Sequence, residues 1–302
     1  MEEQRDAPLW RHTTLKIGGD AKRLCHPSTL RELTDLMEQL RSAGEPWFIL
    51  GGGSNLLVSS AGVEKTVIRT TQLKDISSPE PTIIQADAGT RLPHLAKYAA
   101  SLGLAGLEFS VGIPGTVGGG VIMNAGAHHS SMSNVLEEVT VFDSSTGEIV
   151  TLKKEELGFE YRKCKLDPSV HVVLSARFRL DPQNKEEIEK LTKQNEDYRW
   201  KTQPLNWPNA GSTFKNPEPT KAAGMLLDQS GAKNMKEGAA AVSAVHANFV
   251  INMGGATSSE VISLMQKMQE RVYEKFQLNL HPEWKTVGHF SDSEKAVWNN
   301  KT

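Results

Sequence analysis

The sequence predicts an α+β protein, and three observations carry that prediction. Apolar residues at helical spacing recur behind capping signals, short apolar runs bounded by turn residues read as strands, and glycine-rich loops crowd the N-terminal two-thirds. A length of 302 residues suits two compact domains, or one large one. The hydrophobic fraction of 38% and charged fraction of 23% are those of an ordinary globular chain, with no sign of bulk disorder.

The first helix follows Pro27. Leu30, Leu33, Leu36, Met37 and Leu40 share a face, Thr29 and Glu32 form a capping box, and Gly44 ends it. Trp47-Phe48-Ile49-Leu50 reads as a strand that breaks into Gly51-Gly52-Gly53-Ser54-Asn55, with strand-like Leu56-Leu57-Val58 beyond. Ile83-Ile84 marks another strand. Leu92, Leu95, Ala96, Ala99 and Leu102 mark a second helix, closed by Gly103. From Ser110 to Gly126 the chain is glycine-rich and nearly free of charge, and Gly115 to Gly120 reads as a second glycine loop. Val139 to Phe142 and Ile149 to Leu152 form a hairpin through Ser144-Ser145-Thr146-Gly147, and Val170 to Leu180 is a further strand. Pro182 to Trp200 is charged and helical, and Pro204, Pro208 and Pro217 punctuate a loop region taken as a domain boundary. The last third holds a small-residue stretch, Gly238 to Ala247, and the strand Asn248 to Asn252. A helix follows, opened by the capping box Thr257-Ser258-Ser259-Glu260 and burying Val261, Leu264, Met265, Met268 and Val272. No internal repeat occurs at solenoid periods.

Composition narrows the function. A net charge of −2 argues against a general nucleic-acid or anionic-membrane binder. No apolar run approaches the roughly 18–20 residues of a spanning helix, and the polar, acidic start Met1 to Asp6 is the reverse of a secretory signal. Cys25 and Cys164 are too few and too far apart for a disulfide framework or a zinc site, and read as reduced thiols. His128-His129 lacks nearby cysteine or carboxylate ligands, so no metal is expected. These readings together predict a soluble cytoplasmic protein.

The two glycine loops invite a ligand. Glycine lets a ligand approach the backbone, so successive amides can converge on an anion, and Ser54, Asn55 and Thr116 add groups suited to a pyrophosphate. Tight turns and close strand packing are the commoner explanation of either loop taken alone. Gly51 to Asn55 lacks the Gly-x-Gly-x-x-Gly spacing and runs toward a strand, so a Rossmann site fails there. The chain also has no Gly-Lys-Ser/Thr, which removes a P-loop kinase or ATPase. A dinucleotide site, if present, is of another kind.

Several segments, taken in order, resemble one family. They are His12-Thr13-Thr14 with Ile17-Gly18-Gly19, Leu50 to Val58, Gly106-Leu107-Glu108-Phe109, and Gly112 to Gly119. Met123-Asn124-Ala125-Gly126-Ala127, Tyr161-Arg162, Gln203-Pro204, Ala210 to Pro217, His246-Ala247-Asn248-Phe249 and Pro282-Glu283 follow. The set resembles the UDP-N-acetylenolpyruvoylglucosamine reductase (MurB) family from about residue 12 to 288. Each motif is weak alone; the order is the signal. The resemblance implies a two-subdomain FAD-binding fold of the vanillyl-alcohol-oxidase (PCMH) type plus a C-terminal α+β substrate-binding domain. The implied divisions are residues 10–202 for the FAD domain (subdomains about 10–71 and 72–202), 203–277 for the substrate domain, and 278–302 for a segment returning to the active site. It further implies non-covalent FAD, NADPH as co-substrate, and a monomer whose partner is a small UDP-sugar. The implied reaction reduces UDP-N-acetyl-3-O-(1-carboxyvinyl)glucosamine to UDP-N-acetylmuramate, a step of peptidoglycan precursor synthesis and so of cell shape and division.

Reduction of an enolpyruvyl double bond places negative charge on the α-carbon and its carboxylate, which calls for a cation or acid near the carboxylate and a proton donor at the carbon. Arg162 matches the family's catalytic arginine, and a guanidinium can brace a carboxylate. Glu283 matches the catalytic glutamate, which acts beside Arg162 if burial keeps it protonated. Ser212 matches the serine that protonates the carbon, and no Gly-x-Ser-x-Gly supports a hydrolase instead. The same resemblance places FAD against Gly51, Gly52, Gly53, Ser54, Asn55, Gly115, Thr116, Val117, Gly119 and Asn124. Arg199, Gln203, Lys215 and Asn216 are candidate donors to the substrate's phosphates and carboxylate, while His246 reads equally as a ligand or a packed histidine.

Three positions depart from the family pattern. Cys164 stands where a serine is usual, His12 where an asparagine opens the first motif, and Val245 where a lysine is common. The short spacing from Arg162 to Ser212 leaves no room for the tyrosine-bearing insertion of longer members, so the chain resembles the compact type II. Competing readings are an FAD oxidase or dehydrogenase acting on an alcohol or hydroxy acid, and a flavin- or nucleotide-binding protein that has lost catalysis. The set Arg162, Ser212 and Glu283 argues against both.

Overall fold

The computed structural model describes residues 1–218 and 220–299. It divides into two compact units. The first comprises Met1–Gln4, Arg23–Gly52 and Lys65–Arg199; the second comprises Arg5–Lys22, Gly53–Glu64 and the chain from Trp200 onward. Each has its own core.

In the first unit, the helix Leu30–Ala43 starts where the Thr29 hydroxyl accepts the Glu32 N–H and stops at Gly44, whose φ of 64° suits a residue without Cβ. The box is offset by one residue, because the Glu32 carboxylate takes the Ser28 N–H at 2.8 Å rather than that of Thr29. Leu33, Leu36, Met37 and Leu40 pack on Ile68, Phe142 and Val172, each burial contributing about 1.5–3 kcal/mol. Trp47–Leu50 runs parallel to Val63–Arg69 with Leu50 opposite Arg69. A five-stranded antiparallel sheet follows in the order Glu148–Lys153, Leu136–Asp143, His171–Arg179, Ile83–Asp87, Ile76–Glu80. The predicted hairpin is its outer pair, with Val139 opposite Leu152 and Val141 opposite Val150.

Two expectations change here. The second helix, Leu92–Ser101, buries Leu92, Leu95, Ala96 and Ala99, but Leu102 lies past its end and is 46% exposed. Gly103, at φ 69°, turns the chain so that Leu104, rather than Leu102, enters the core. The stretch Gly115 to Gly120 is not simply a loop, since Val117–Ile122 winds into a short helix. Glycine disfavours a helix locally. Packing overrides that, because a Cβ on Gly118 would lie 3.1 Å from the Ala88 Cβ and one on Gly120 3.2 Å from Leu92 Cδ1. The missing methyls let this turn press against the sheet and the neighbouring helix.

In the second unit, the helix Ser258–Phe276 has the full predicted box, with Glu260 N–H on the Thr257 hydroxyl and Thr257 N–H on the Glu260 carboxylate. Its face of Val261, Leu264, Met265, Met268 and Val272 packs with Leu15, Leu57, Phe214 and Trp284. Lys236–Glu237, Ala240–Val242 and Val250–Asn252 form an antiparallel sheet. Leu56–Val58 pairs in parallel with Lys285–Val287. Among the described residues no helix is long and apolar enough to cross a membrane.

Candidate active site

In the first unit, Gly51 and Gly52 meet the second glycine segment. A Cβ on Gly51 would collide with the Thr116 Oγ1, and one on Gly52 would lie 3.0 Å from the Pro114 carbonyl oxygen. Gly115 and Thr116 are held in turn by the Leu92 N–H on the Gly115 carbonyl at 3.0 Å and by an antiparallel bridge from Arg91 to Thr116. Among the described residues, the amide of Gly52 donates to no carbonyl. The missing Cβ of Gly119 has only the Thr116 Oγ1 near it, at 3.7 Å. Bare backbone with amides to offer is the surface a dinucleotide diphosphate requires, so the residues fit that group.

Arg162 is fixed by its surroundings in the same unit. It occupies a tight turn closed by the Glu160 N–H on the Lys163 carbonyl at 3.0 Å and the Lys163 N–H on the Glu160 carbonyl at 3.2 Å. Its φ of 58° is left-handed, a conformation that costs a non-glycine residue about 1–3 kcal/mol and persists only where the surroundings impose it. Its guanidinium donates to the Gly126 carbonyl at 3.0 Å and lies 5.1 Å over the Tyr161 ring. Asn124, 7% exposed, donates from Nδ2 to the Glu160 carbonyl at 2.9 Å, while its Oδ1 accepts the Ser133 N–H at 3.0 Å. One end of this amide therefore holds the turn that carries Arg162, and the other holds the segment at Ser133. Cys164 is buried and donates from Sγ to the Ile122 carbonyl at 3.5 Å. Burial pushes its thiol pKa up, so it stays protonated and able to donate as a serine would.

In the second unit the segment that follows Ser212 pairs with the segment that carries Glu283. Phe214 and Pro282 form an antiparallel bridge; the Glu283 N–H donates to the Thr213 carbonyl at 2.8 Å and the Lys215 N–H to the His281 carbonyl at 2.9 Å. Asn55 donates from Nδ2 to the Glu283 carbonyl at 3.3 Å. On the other flank, the Asn248 side chain accepts the Phe214 N–H at 2.9 Å and donates to the Phe214 carbonyl at 2.8 Å. Ser212 and Glu283 are both half-buried. The Asn216 Oδ1 accepts the Ala223 N–H at 3.0 Å, at the start of the helix Ala223–Gln229. His246 resolves toward a structural role: its Nδ1 accepts the Asn248 N–H at 3.2 Å, and its ring meets Phe249 edge-on at 4.9 Å. Burial, reinforced by the charge of Lys233, pushes its pKa below the ordinary histidine range.

Of the remaining candidates, Arg199 packs in the first unit against Gly112, where a Cβ would lie 3.4 Å from the Arg199 Cδ, and burial lowers its pKa. The Gln203 carbonyl accepts the Leu205 N–H at 2.9 Å in the second unit. One residue that no motif singles out is Arg69, opposite Leu50 at the entry to the first glycine loop. Sequence carries no signal for it beyond a charge at the end of an apolar strand.

Residues 203–287 match the family described as UDP-N-acetylenolpyruvoylglucosamine reductase, C-terminal domain, and residues 21–153 match an FAD binding domain. A UDP-N-acetylenolpyruvoylglucosamine reductase of Caldanaerobacter subterraneus is 43% identical over 281 residues, covering 93% of this chain and 92% of that protein. The chain belongs to the UDP-N-acetylenolpyruvoylglucosamine reductase family. A reductase of the same name from Synechococcus sp. strain RCC307 is 42% identical over 300 residues, with 97% of each chain covered. The crystal structure of the Thermus caldophilus reductase (MurB) covers 95% of this chain and 98% of its own, at 38% identity and a TM-score of 0.79. The expected α+β fold, with an FAD-binding domain ahead of a family-specific C-terminal domain, stands. This reductase is an FAD-dependent oxidoreductase.

Proposed function

We propose that this reductase uses NADPH to convert UDP-N-acetyl-3-O-(1-carboxyvinyl)glucosamine to UDP-N-acetylmuramate, acting as a cytoplasmic monomer with no nucleic-acid or membrane partner. Residues 10–202 serve the flavin (subdomains about 10–71 and 72–202), 203–277 bind the substrate, and 278–302 return to the active site. Residues 219 and 300–302 of these ranges lie outside the described residues.

Bound FAD supplies the hydride of the reduction. Gly51, Gly52, Gly53, Ser54, Asn55, Gly115, Thr116, Val117 and Gly119 hold it, chiefly through backbone. Asn124, whose amide is engaged at both ends, is reassigned to positioning Arg162. Arg162 braces the substrate carboxylate as charge builds there, and its left-handed turn fixes the direction of approach. Glu283 donates a hydrogen bond to that carboxylate from its protonated form, and the Ser212 hydroxyl gives its proton to the α-carbon. Arg199, Gln203 and Lys215 bind the substrate's anionic groups; Asn216 does so only with what its cap on Ala223 leaves free.

The observation that best supports this reading is the Glu283 N–H on the Thr213 carbonyl, which pairs the segment carrying the acid with the segment carrying the serine in a member of this family. Ser212→Ala tests it. Reduction of the flavin by NADPH should continue at the wild-type rate, while its reoxidation by the UDP-sugar should slow by about 10² or more. A colourless protein that binds no FAD, or a Ser212→Ala enzyme impaired in the first half-reaction, overturns it.

A further inference from the structure

We propose that Arg69 and Arg91 form an anion-binding edge on the glycine segments and that Arg69 contacts the diphosphate of the bound dinucleotide. The proposal rests on the flavin reading above.

Register places both arginines at the loops. Arg69 lies opposite Leu50, the residue before Gly51, and Arg91 is bridged to Thr116, whose hydroxyl fills the space beside Gly51. Two strands and the start of a helix thus deliver two guanidinium-bearing residues to the two ends of one bare-backbone surface. Partners are the second observation. Several other strand and helix arginines of this unit are matched by carboxylates, as Arg41 is by Glu38 and Arg177 by Glu80. Among the described residues, neither Arg69 nor Arg91 has an ion pair, and the buried Arg69 Nε has no hydrogen-bond partner. The charge that acts on Arg69 is like-signed: Arg69 and Arg91 repel, and burial together with that repulsion lowers the Arg69 pKa.

A half-buried guanidinium without an anion is unfavourable, and a second cation beside it makes it more so. A ligand that brings two negative charges relieves both penalties at once. The planar fork of arginine matches phosphate oxygens in pairs, which a lysine cannot do. Among phosphate groups, the diphosphate of FAD is the one whose backbone site ends at Gly51, one residue from the strand pairing that holds Arg69. The phosphates of NADPH and of the UDP-sugar carry the same chemistry, so the test separates the three.

The holoenzyme and its Arg69→Met, Arg69→Lys and Arg91→Gln variants are diluted, and release of flavin is followed by the rise in flavin fluorescence at low and high KCl. Arg69→Met should retain FAD at least about tenfold more weakly, with a smaller dependence on salt than wild type. Arg69→Lys should fall between, and Arg91→Gln, at an exposed position, should weaken retention without a folding defect. With FAD in excess, the KM values for NADPH and for the UDP-sugar should stay within about twofold. Unchanged flavin retention in Arg69→Met and Arg91→Gln overturns the proposal and leaves the flavin reading standing. A raised KM for NADPH or the UDP-sugar with unchanged retention assigns the arginines to those phosphates and also overturns it. A wild-type protein that holds no FAD defeats the flavin reading itself.

Discussion

Thr116 directs its Oγ1 into the space where Gly51 lacks a Cβ. Neither residue can change alone without disturbing the other. Gly51→Ala should therefore lower flavin content sharply, because either the hydroxyl or the loop has to move. Thr116→Ala in the same chain should recover part of the loss. Flavin-to-protein absorbance ratios of the two single variants and the double variant measure the coupling, and simple additivity would contradict the contact.

Asn124 offers a second test. Its φ of 39° suits glycine as well as asparagine, so Asn124→Gly removes the amide without straining the backbone. Loss of its two hydrogen bonds should cost about 1–3 kcal/mol of stability. Rapid-mixing traces should show flavin reduction by NADPH little changed and reoxidation by the UDP-sugar slowed about tenfold, since the loosened element is the Arg162 turn.

At Cys164 the expectation is near-neutrality. A serine hydroxyl can make the same donation to the Ile122 carbonyl, so Cys164→Ser should keep full turnover and lose no more than about 1 kcal/mol. Because burial raises the thiol pKa, the reactive thiolate forms only at higher pH. Iodoacetamide labelling of the folded enzyme at pH near 8 should be much slower than after urea unfolding. Fast labelling of the folded protein would refute the buried, protonated thiol.

His246 predicts a pH dependence with a definite sign. Its folded pKa lies below the ordinary histidine value, so as pH falls through about 6.5 the unfolded chain binds a proton that the folded one resists. Stability should then decrease until the folded pKa is reached. Urea midpoints at about pH 5.5 and 7.5 should differ less in His246→Gln than in wild type. An equal difference in both would mean that His246 does not set this pH dependence.

What the sequence shows depends on whether the decisive interaction is local. The helix Ser258–Phe276 is readable because its cap, its apolar face and its ends all lie within one stretch. The helix Val117–Ile122 is not, because its glycines argue against it and only the approach of Ala88 and Leu92 outweighs them. Leu102 fits the period of its helix, yet the turn at Gly103 ends the helix and sends Leu104 into the core instead. Ser212, Glu283 and Arg162 stand out as residues of motifs. That Asn124 serves Arg162 depends on a contact across 36 residues that no motif spells out. Arg69 is the extreme case, since its interest lies in a buried Nε with no hydrogen-bond partner among the described residues, and a string of letters cannot show a missing neighbour.

The pinning of Glu283 by Asn55 on one side and Thr213 on the other has a temporal side. A ribosome makes Asn55 first and Glu283 later, by 228 residues. The parallel pairing of Leu56–Val58 with Lys285–Val287 that accompanies it can form only when both segments have been made. A nascent chain that carries every glycine segment and Ser212 but stops short of residue 283 can make neither contact, and its own connectivity is the reason.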